Sequence, residues 1–205
     1  MTRLRRLTAL VVAALTTTTL ASPSDARSGS APVTAPDTVT AYAGQFVVAK
    51  VLANDSDPEG DKLTICGLAP LRHPRIRADI DDPKKVSISV GGLAQPGTYV
   101  FTYYACDGTA QTPGTLTLVV AKTPKITVRA VRHAHGRVRA TSNAPFVVRL
   151  TFGDGTEDYE GLVYIPKRGS VVFSTRFPRL YWSARMKDGT LLATGYVPHI
   201  PRVAG

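Results

Sequence analysis

Short segments in which apolar and polar residues alternate recur along the chain from about residue 38 to residue 197. Alternation with period two is typical of half-buried β-strands, and no run shows helical periodicity for more than about two turns. Gly, Pro, Asn and Asp separate the segments, as turns require. The pattern predicts strands at Thr38–Tyr42, Phe46–Leu52, Leu63–Leu68, Val86–Val90, Thr98–Cys106, Thr115–Ala121, Ile126–Arg132, Arg137–Thr141, Phe146–Phe152, Leu162–Ile165, Val171–Arg176, Tyr181–Met186 and Leu191–Val197.

Turn signals at intervals of roughly 8 to 12 residues are typical of antiparallel sandwiches and barrels. Thr123-Pro124 is the natural boundary between two groups of strands. We therefore predict an all-β protein with two antiparallel β-sandwich domains, at residues 36–122 and 123–205.

The first residues have the layout of a secretory signal peptide. Arg3, Arg5 and Arg6 precede an apolar run over residues 7–15, and small residues lead up to Ala26. This arrangement predicts a cleaved signal at residues 1–26, followed by a flexible linker at 27–35. An N-terminal anchor helix is the alternative. Later in the chain no apolar run is long enough to span a bilayer, so we expect no membrane span after removal of the signal.

Composition supports folded domains, and charge distinguishes them. Hydrophobic residues make up 43% and charged residues 20% of the 205 positions, which argues against disorder. The formal net charge is +10. Residues 32–124 hold 8 Lys and Arg against 9 Asp and Glu, whereas residues 125–205 hold 13 against 5. The basic character therefore belongs to the second domain.

An acidic loop at residues 54–61, NDSDPEGD, concentrates oxygen ligands. Ca²⁺ takes six to eight oxygen ligands, and Asp55, Asp57 and Asp61 could supply carboxylates on a turn that Gly60 permits. The EF-hand spacing is missing. The alternative is a hairpin loop whose Asn and Asp side chains bond the local backbone.

The stretch VLANDSDPEGDKLT at residues 51–64 resembles a signature of bacterial cadherin-like and Ig-like surface repeats. GTYVFTYYACDG at residues 97–108 is similar to the closing strand of that family, and Ala35-Pro36-Asp37 fits its opening. The resemblance covers about residues 35–121. It implies a Greek-key sandwich used for adhesion, spacing or carbohydrate display. It also implies that a structural Ca²⁺, if bound, has Asp55, Asp57, Asp61 and Asp107 as ligands.

Two features depart from the family. The chain shows one copy and no internal repeat, and the segment RHPRIRADIDDPKK at residues 72–85 is more charged than the usual hairpin. Cys66 and Cys106, which relatives normally lack, can pair after export into an oxidising compartment. Two buried free thiols are the alternative.

The second domain carries a candidate surface for anions. Arg137 and Arg139 share a strand face, because side chains alternate with period two. Arg179, Trp182 and Arg185 mix basic and aromatic groups, which suits polyanions or glycans. For an exported bacterial protein the partners would be a cell-wall polyanion, an acidic glycan, a phospholipid headgroup or a surface protein. The alternative is a solvated sheet exterior with Trp182 in the core. Export and the lack of a recognition helix disfavour nucleic acid.

Catalytic motifs are not found in the sequence. Asp79, Asp81 and Asp82 could mimic glycosidase carboxylates, although acids beside Lys84 and Lys85 usually form a solvated loop. His133 and His135 suggest a metal half-site, but the surrounding residues favour a turn. The turn FGDGT at residues 152–156 resembles that of polycystic-kidney-disease-type modules, and supports an Ig-like or fibronectin-like sandwich. We interpret the chain as a secreted adhesion or binding protein and not an enzyme. The alternatives are a structural module without a ligand and a small hydrolase.

Overall fold

The computed structural model describes residues 29–156 and 159–201, and for residues 159 and 160 it describes the backbone only. The predicted signal peptide, residues 1–26, lies outside the described residues. Every regular element in the described part of the chain is a strand, which confirms the all-β prediction. The strands are β1 Asp37–Tyr42, β2 Phe46–Ala49, β3 Thr64–Leu68, β4 Ile76–Asp82, β5 Lys85–Val90, β6 Gly97–Cys106, β7 Gln111–Ala121, β8 Ile126–Ala130, β9 Arg137–Ser142, β10 Val148–Gly153, β11 Tyr159–Ile165, β12 Ser170–Ser174, β13 Leu180–Arg185 and β14 Leu191–Val197.

The first seven strands form a sandwich of two sheets, β1-β7-β6-β3 and β2-β5-β4. The long hairpin of β6 and β7 supplies alternate inward side chains, so that Phe101 and Tyr103 lie beside Leu116 and Leu118 in the core. All four of these side chains are buried. Burial of a large apolar side chain stabilises a fold by about 1.5–3 kcal/mol, and this row therefore holds the two sheets together.

The pairing of β1 with β7 is parallel, whereas the sequence predicted antiparallel sheets throughout. β1 does not form a hairpin with its sheet neighbour, because the chain passes from β1 directly into β2 of the opposite sheet. Parallel neighbours need a long connection, and here the rest of the domain provides it. Alternation reveals that a segment is a strand but does not reveal the direction of its neighbour.

The second seven strands form sheets β11-β10-β13-β14 and β12-β9-β8. Inward residues of both sheets build a separate core, which includes Val138, Leu150 and Leu180. The rings of Phe152 and Phe173 stack across the two sheets with centroids 4.4 Å apart. Each half of the chain thus has its own sandwich and its own buried cluster.

Strand β4 is not among the strands that the sequence predicts, because the charged residues of its segment favour a solvated loop. Ile76 is buried, Ala78 is half-buried, and the intervening Arg77 and Asp79 are exposed. The strand lies at the edge of the β2-β5-β4 sheet, where charged outer positions keep other strands from pairing. The alternation of Ile76, Ala78 and Ile80 was the signal that the charges obscured.

The predicted disulfide between Cys66 and Cys106 is confirmed. It joins the neighbouring strands β3 and β6, and its two Cα atoms lie 5.9 Å apart. The register of β3 shifts between Ile65 and Gly67, so Cys66 occupies the irregular position of the strand.

A helical membrane span is not found in the described part of the chain.

Replacing both Cys66 and Cys106 by serine should lower the free energy of unfolding of the first domain. The two cysteines are 40 residues apart, and closing a loop of that length is worth about 4 kcal/mol in the chain-entropy model. Urea denaturation of the double variant, followed by hydrogen exchange of the backbone amides of β6 and β7, measures the loss, since the single tryptophan, Trp182, lies in the second domain. The wild type under reducing conditions is the matched control and should match the variant. Equal stability of oxidised wild type and variant would contradict the prediction.

Candidate functional site

A buried tyrosine lies at the centre of a polar cluster under the acidic loop. The hydroxyl of Tyr103 donates to Asp55 Oδ2 at 2.8 Å. The carbonyl oxygen of Val51 and Asp37 Oδ2 lie within 3.2 Å and 3.3 Å of the same hydroxyl. Asn54, with its amide nitrogen turned toward Asp37, lies 3.2 Å from Asp37 Oδ1. One phenolic proton therefore serves three acceptors.

Glycine makes room for this tyrosine. A Cβ atom on Gly114, the cross-strand partner of Tyr103 on β7, would overlap the phenol ring. The ring therefore lies flat against backbone in the interior of the sandwich. This close approach fixes the position of the hydroxyl under the loop.

Both carboxylate oxygens of Asp55 accept hydrogen bonds within the domain. Its Oδ1 accepts a hydrogen bond from the backbone N–H of Ala35 at 2.8 Å, and its Oδ2 accepts from Tyr103. Burial raises the pKa of the Tyr103 phenol far above its ordinary value, and its hydrogen bond to Asp55 adds to the effect. Burial also raises the pKa of Asp37, although the hydrogen bond from Tyr103 opposes the rise.

Asp57 belongs to the more exposed part of the same motif. Its Oδ1 accepts hydrogen bonds from the backbone N–H groups of Glu59 and Asp61, each at 3.0 Å. Gly60 takes a φ of 80°, which lets the loop turn back on the carboxylate. Its other oxygen, Oδ2, is buried and has no hydrogen-bond partner among the described residues. Asp61 itself is exposed.

Asp107 caps the turn after β6 in a similar way. Its Oδ1 accepts from the N–H groups of Thr109 at 2.6 Å and Ala110 at 2.7 Å, and these hydrogen bonds lower the pKa of the carboxyl. Its Oδ2 is also buried without a hydrogen-bond partner in the described part of the chain. A buried carboxylate oxygen without a partner is uncommon, because desolvation then goes uncompensated.

The loops of Asp57 and Asp107 lie side by side at one end of the first sandwich. Ser30 Oγ donates to Glu59 at 2.7 Å, and a Cβ on Gly29 would lie 3.1 Å from Thr109 Oγ1. Residues 29 and 30 thus connect the two loops. The charge of Asp107 also raises the pKa of Glu59, although the bond from Ser30 has the larger effect and lowers it.

The four residues predicted as calcium ligands are divided by the structure. Asp55 points to Tyr103, whereas Asp57 and Asp107 each present one oxygen that has no hydrogen-bond partner among the residues that the structure describes. Within residues 29–156 and 159–201, no three His, Cys, Asp or Glu side chains are grouped as a metal-ligand set. An open depression of about 300 Å³ beside the loop is lined by Asp57 and Asp61, but also by Lys62 and Lys84.

In the second domain, Arg137 and Arg139 lie on the outer face of the β12-β9-β8 sheet, as their shared alternation predicts. Arg139 is directly opposite Arg129 on β8. Arg137 donates to Ser174 Oγ at 3.2 Å. Like charges directly opposite on neighbouring strands repel each other. The sequence did not show this arrangement, since register decides which arginines are neighbours.

Arg185, in contrast, lies on the other sheet, where it is directly opposite Arg149. Trp182 is half-buried and packs against the inner core, with its ring against Gly195. Arg179 is exposed in the connection before β13. The five residues predicted to bind a polyanion or glycan therefore do not form one surface.

The remaining sequence candidates occupy turns and an edge. His133 has a φ of 53° and, like His135, is exposed in the turn between β8 and β9. Asp79 and Asp81 are exposed on β4, and Asp82 accepts a hydrogen bond from Lys85 Nζ at 2.9 Å.

Residues 29–121 match the family model of the bacterial Ig domain. The first domain is thus similar to the bacterial Ig domain over its full length. The match contains every strand from β1 to β7 and both loops of the acidic end, and it confirms the resemblance found at residues 35–121. The second sandwich lies outside the matched residues.

Solved structures of several proteins are similar to the chain at low identity. The BSP domain of a biofilm associated protein is 16% identical, with a TM-score of 0.32, over 85% of this chain and 30% of that one. The human Desmocollin-1 ectodomain is 11% identical, with a TM-score of 0.31, over 85% of this chain and 37% of that one. The titin I-band fragment I67-I69 is 12% identical, with a TM-score of 0.37, over 81% of this chain and 64% of that one.

The chain thus spans about a third of the length of the biofilm protein and the desmocollin. Among curated proteins no sequence matches it.

Replacing Asp37 by asparagine should stabilise the first domain at neutral pH. Burial raises the pKa of Asp37 above its ordinary value of 3.8, so the folded state holds this proton more tightly than the unfolded chain. The free energy of unfolding of the wild type therefore falls as pH rises from about 4 through the raised pKa. The variant has no carboxyl group at position 37, so its free energy of unfolding does not fall in this way. Urea denaturation at pH 4 and pH 7 tests it, with Asp79→Asn on exposed β4 as control. A variant less stable than wild type at pH 7 would show that the charged form is favoured.

Proposed function

We propose that the chain is an exported bacterial Ig-like binding protein whose second domain contacts polyanions at the cell surface. The observation that carries the proposal is the arginine cluster of Arg129, Arg137 and Arg139 on the outer face of the β12-β9-β8 sheet. All three side chains are exposed, and two of them are directly opposite each other.

This arrangement is unfavourable for the isolated domain and favourable for an anion complex. Cross-strand neighbours have Cβ atoms about 5 Å apart, and like charges at that position destabilise the sheet. The outer positions of this sheet that the structure describes hold Ser, Thr and Val besides the arginines, and no acid. A phosphate or carboxylate polymer would neutralise the repulsion and accept hydrogen bonds from the guanidinium groups.

The proposal is one of binding without catalysis. A glycoside hydrolase needs two carboxyl groups that face each other across the substrate bond. Of the three carboxylates considered for that role, Asp79 alone lines the neighbouring depression of about 590 Å³. Asp82 is paired with Lys85.

The acidic end of the first domain supports a further proposal, a structural Ca²⁺. Asp57 Oδ2 and Asp107 Oδ2 are buried and unpartnered within the described residues, and a hard cation prefers such oxygens. Asp57 and Asp107 would hold the ion, with Asp61 within the same loop. Asp55 fits less well, since both of its oxygens already accept hydrogen bonds. Bound Ca²⁺ would join the two loops.

Charge reversal of the arginine cluster should weaken binding to purified cell wall. We expect Arg137→Glu with Arg139→Glu to lower retention at least tenfold in a pull-down at low salt, because both attraction and bidentate hydrogen bonds are lost. Wild-type protein should be released as salt is raised.

The matched control, Arg72→Glu with Arg77→Glu, makes the same change of net charge on exposed positions of the first domain. It should bind as the wild type does. Equal loss in both double variants would mean that net charge alone is responsible, and no retention of the wild type at any salt would overturn the proposal.

Calcium should raise the melting temperature of the wild type. Ligand at a hundred times its dissociation constant stabilises by about 2.7 kcal/mol, and thermal shift in Ca²⁺ against EDTA measures the effect. Asp57→Asn and Asp107→Asn should each abolish the shift, whereas Asp79→Asn on β4 should keep it. The same melting temperature of the wild type in Ca²⁺ and in EDTA would remove the ion from the proposal.

A further inference from the structure

The outer face of the β11-β10-β13-β14 sheet carries aromatic and basic side chains in an ordered array. Cross-strand register places Tyr164, Arg149 and Arg185 in one row across the sheet. Leu162, Thr151, Ser183 and Thr194 form the next row. Tyr181 and Tyr196 are directly opposite each other in the last row. Residues directly opposite on neighbouring strands point to the same side of a sheet, and these rows therefore belong to one surface.

The tyrosine pair is exposed and yet held in place. The rings of Tyr181 and Tyr196 have centroids 4.6 Å apart and planes inclined by 33°. They are 45% and 44% exposed, which is high for aromatic side chains that contact each other. Gly155, with a φ of 97°, lies directly against the Tyr181 ring, where a Cβ would overlap it. The turn thus supports one side of the pair, while a little under half of each tyrosine stays open to solvent.

The arginine row lies about 13 Å from the tyrosine pair, since four residues of a strand separate Arg185 from Tyr181. Arg149 is directly opposite Arg185. Arg185 Nη1 donates to the carbonyl oxygen of Gly189 at 3.0 Å, which fixes its direction. No outward position of these rows is acidic in the part of the sheet that the structure describes.

Two open depressions adjoin this row. One, of about 370 Å³, is lined by Arg149, Arg185, Thr151 and Leu162. The other, also of about 370 Å³, is lined by Arg149, Tyr164, Val147 and Lys187. Arg149 lies between them, so a ligand in either depression meets a guanidinium group. Tyr164, which is 59% exposed, forms a wall of the second depression.

The row between the two ends is polar. Thr151 Oγ1 and Ser183 Oγ lie 2.8 Å apart and share one hydrogen bond. Each hydroxyl keeps a further capacity to donate or accept. The face therefore offers aromatic surface at one end and a pair of cations at the other end, with a polar stretch between them in which Thr151 is half-buried and Ser183 is buried.

We propose that this face binds a linear polysaccharide that carries carboxylate groups. The binding residues would be Tyr164, Arg149 and Arg185 in one row and Tyr181 and Tyr196 in the other. The tyrosine rings would pack against the C–H faces of the sugar rings, and the arginines would bind the carboxylates in bidentate fashion. The charge of the row selects an anionic ligand, and the exposed rings select one that contains rings. The inference rests on the proposed function in one respect, that the second domain binds surface polymers. It is otherwise separate, because it concerns the β11-β10-β13-β14 sheet, whereas the arginine cluster lies on the β12-β9-β8 sheet.

Three soluble polymers separate the requirements for rings and for charge. Polygalacturonate has sugar rings with carboxylates, polyphosphate has charge without rings, and dextran has rings without charge. We expect the wild type to bind polygalacturonate more tightly than dextran by calorimetry. Tyr196→Ala should weaken polygalacturonate binding roughly fivefold or more, since a lost aromatic contact is worth about 1 kcal/mol, and should leave polyphosphate binding unchanged.

Arg149→Gln should weaken polygalacturonate binding as well, which provides a second test if Tyr196→Ala unfolds in a thermal melt. Arg77→Gln on exposed β4 of the first domain is the matched control for Arg149→Gln, because it removes the same charge outside both proposed surfaces, and it should keep polygalacturonate binding. If both Tyr196→Ala and Arg149→Gln bind polygalacturonate as the wild type does, the face is not the site. If the wild type binds no polygalacturonate, the inference fails even where cell-wall retention persists. If the wild type binds polygalacturonate but is not retained on cell wall at any salt, the proposed function is overturned and the inference about this face stands.

Discussion

Both domains depend on the same constraint: each sheet must bury one face against its partner sheet. In β7 the inward positions Leu116, Leu118 and Val120 are buried, while the residues between them are at least partly exposed. The same alternation in β9 buries Val138 and Ala140. Side chains that pack the core are therefore unavailable for binding, and chemistry is confined to the outer faces and the loops.

One motif shows how burial separates residues that are neighbours in sequence. Asp55 and Asp57 are two positions apart in the acidic loop, yet Asp55 reaches inward to the hydroxyl of Tyr103 and Asp57 turns along the surface. The inward carboxylate is held by hydrogen bonds, which compensate for its lost hydration. The loop is thus anchored by one acid, while Oδ2 of the other acid, Asp57, has no hydrogen-bond partner among the described residues.

In the second domain, arginines on neighbouring strands lie directly opposite each other. Arg129 faces Arg139 on one sheet, and Arg149 faces Arg185 on the other. All four side chains point to the outer faces of the sheets, where like charges on neighbouring strands repel each other. An arrangement of this kind is favourable once an anion occupies the space between the guanidinium groups. This is the physical basis of the binding role that we propose for the domain.

The sequence alone predicted the all-β class and thirteen of the strands, because alternation and turn residues act over a few neighbouring positions. The pairing of Cys66 with Cys106 was expected from export into an oxidising compartment, and the bacterial Ig resemblance of the first half from its motifs. The sequence missed β4, where charges at Arg77 and Asp79 obscured an edge strand. It also grouped Trp182 with Arg137 and Arg139, which the structure places on different sheets. Register and sheet order, which bring Arg149 beside Arg185 and Tyr181 beside Tyr196, were decided only by the tertiary structure. They depend on contacts between segments far apart in the chain, and local patterns contain no information about such contacts.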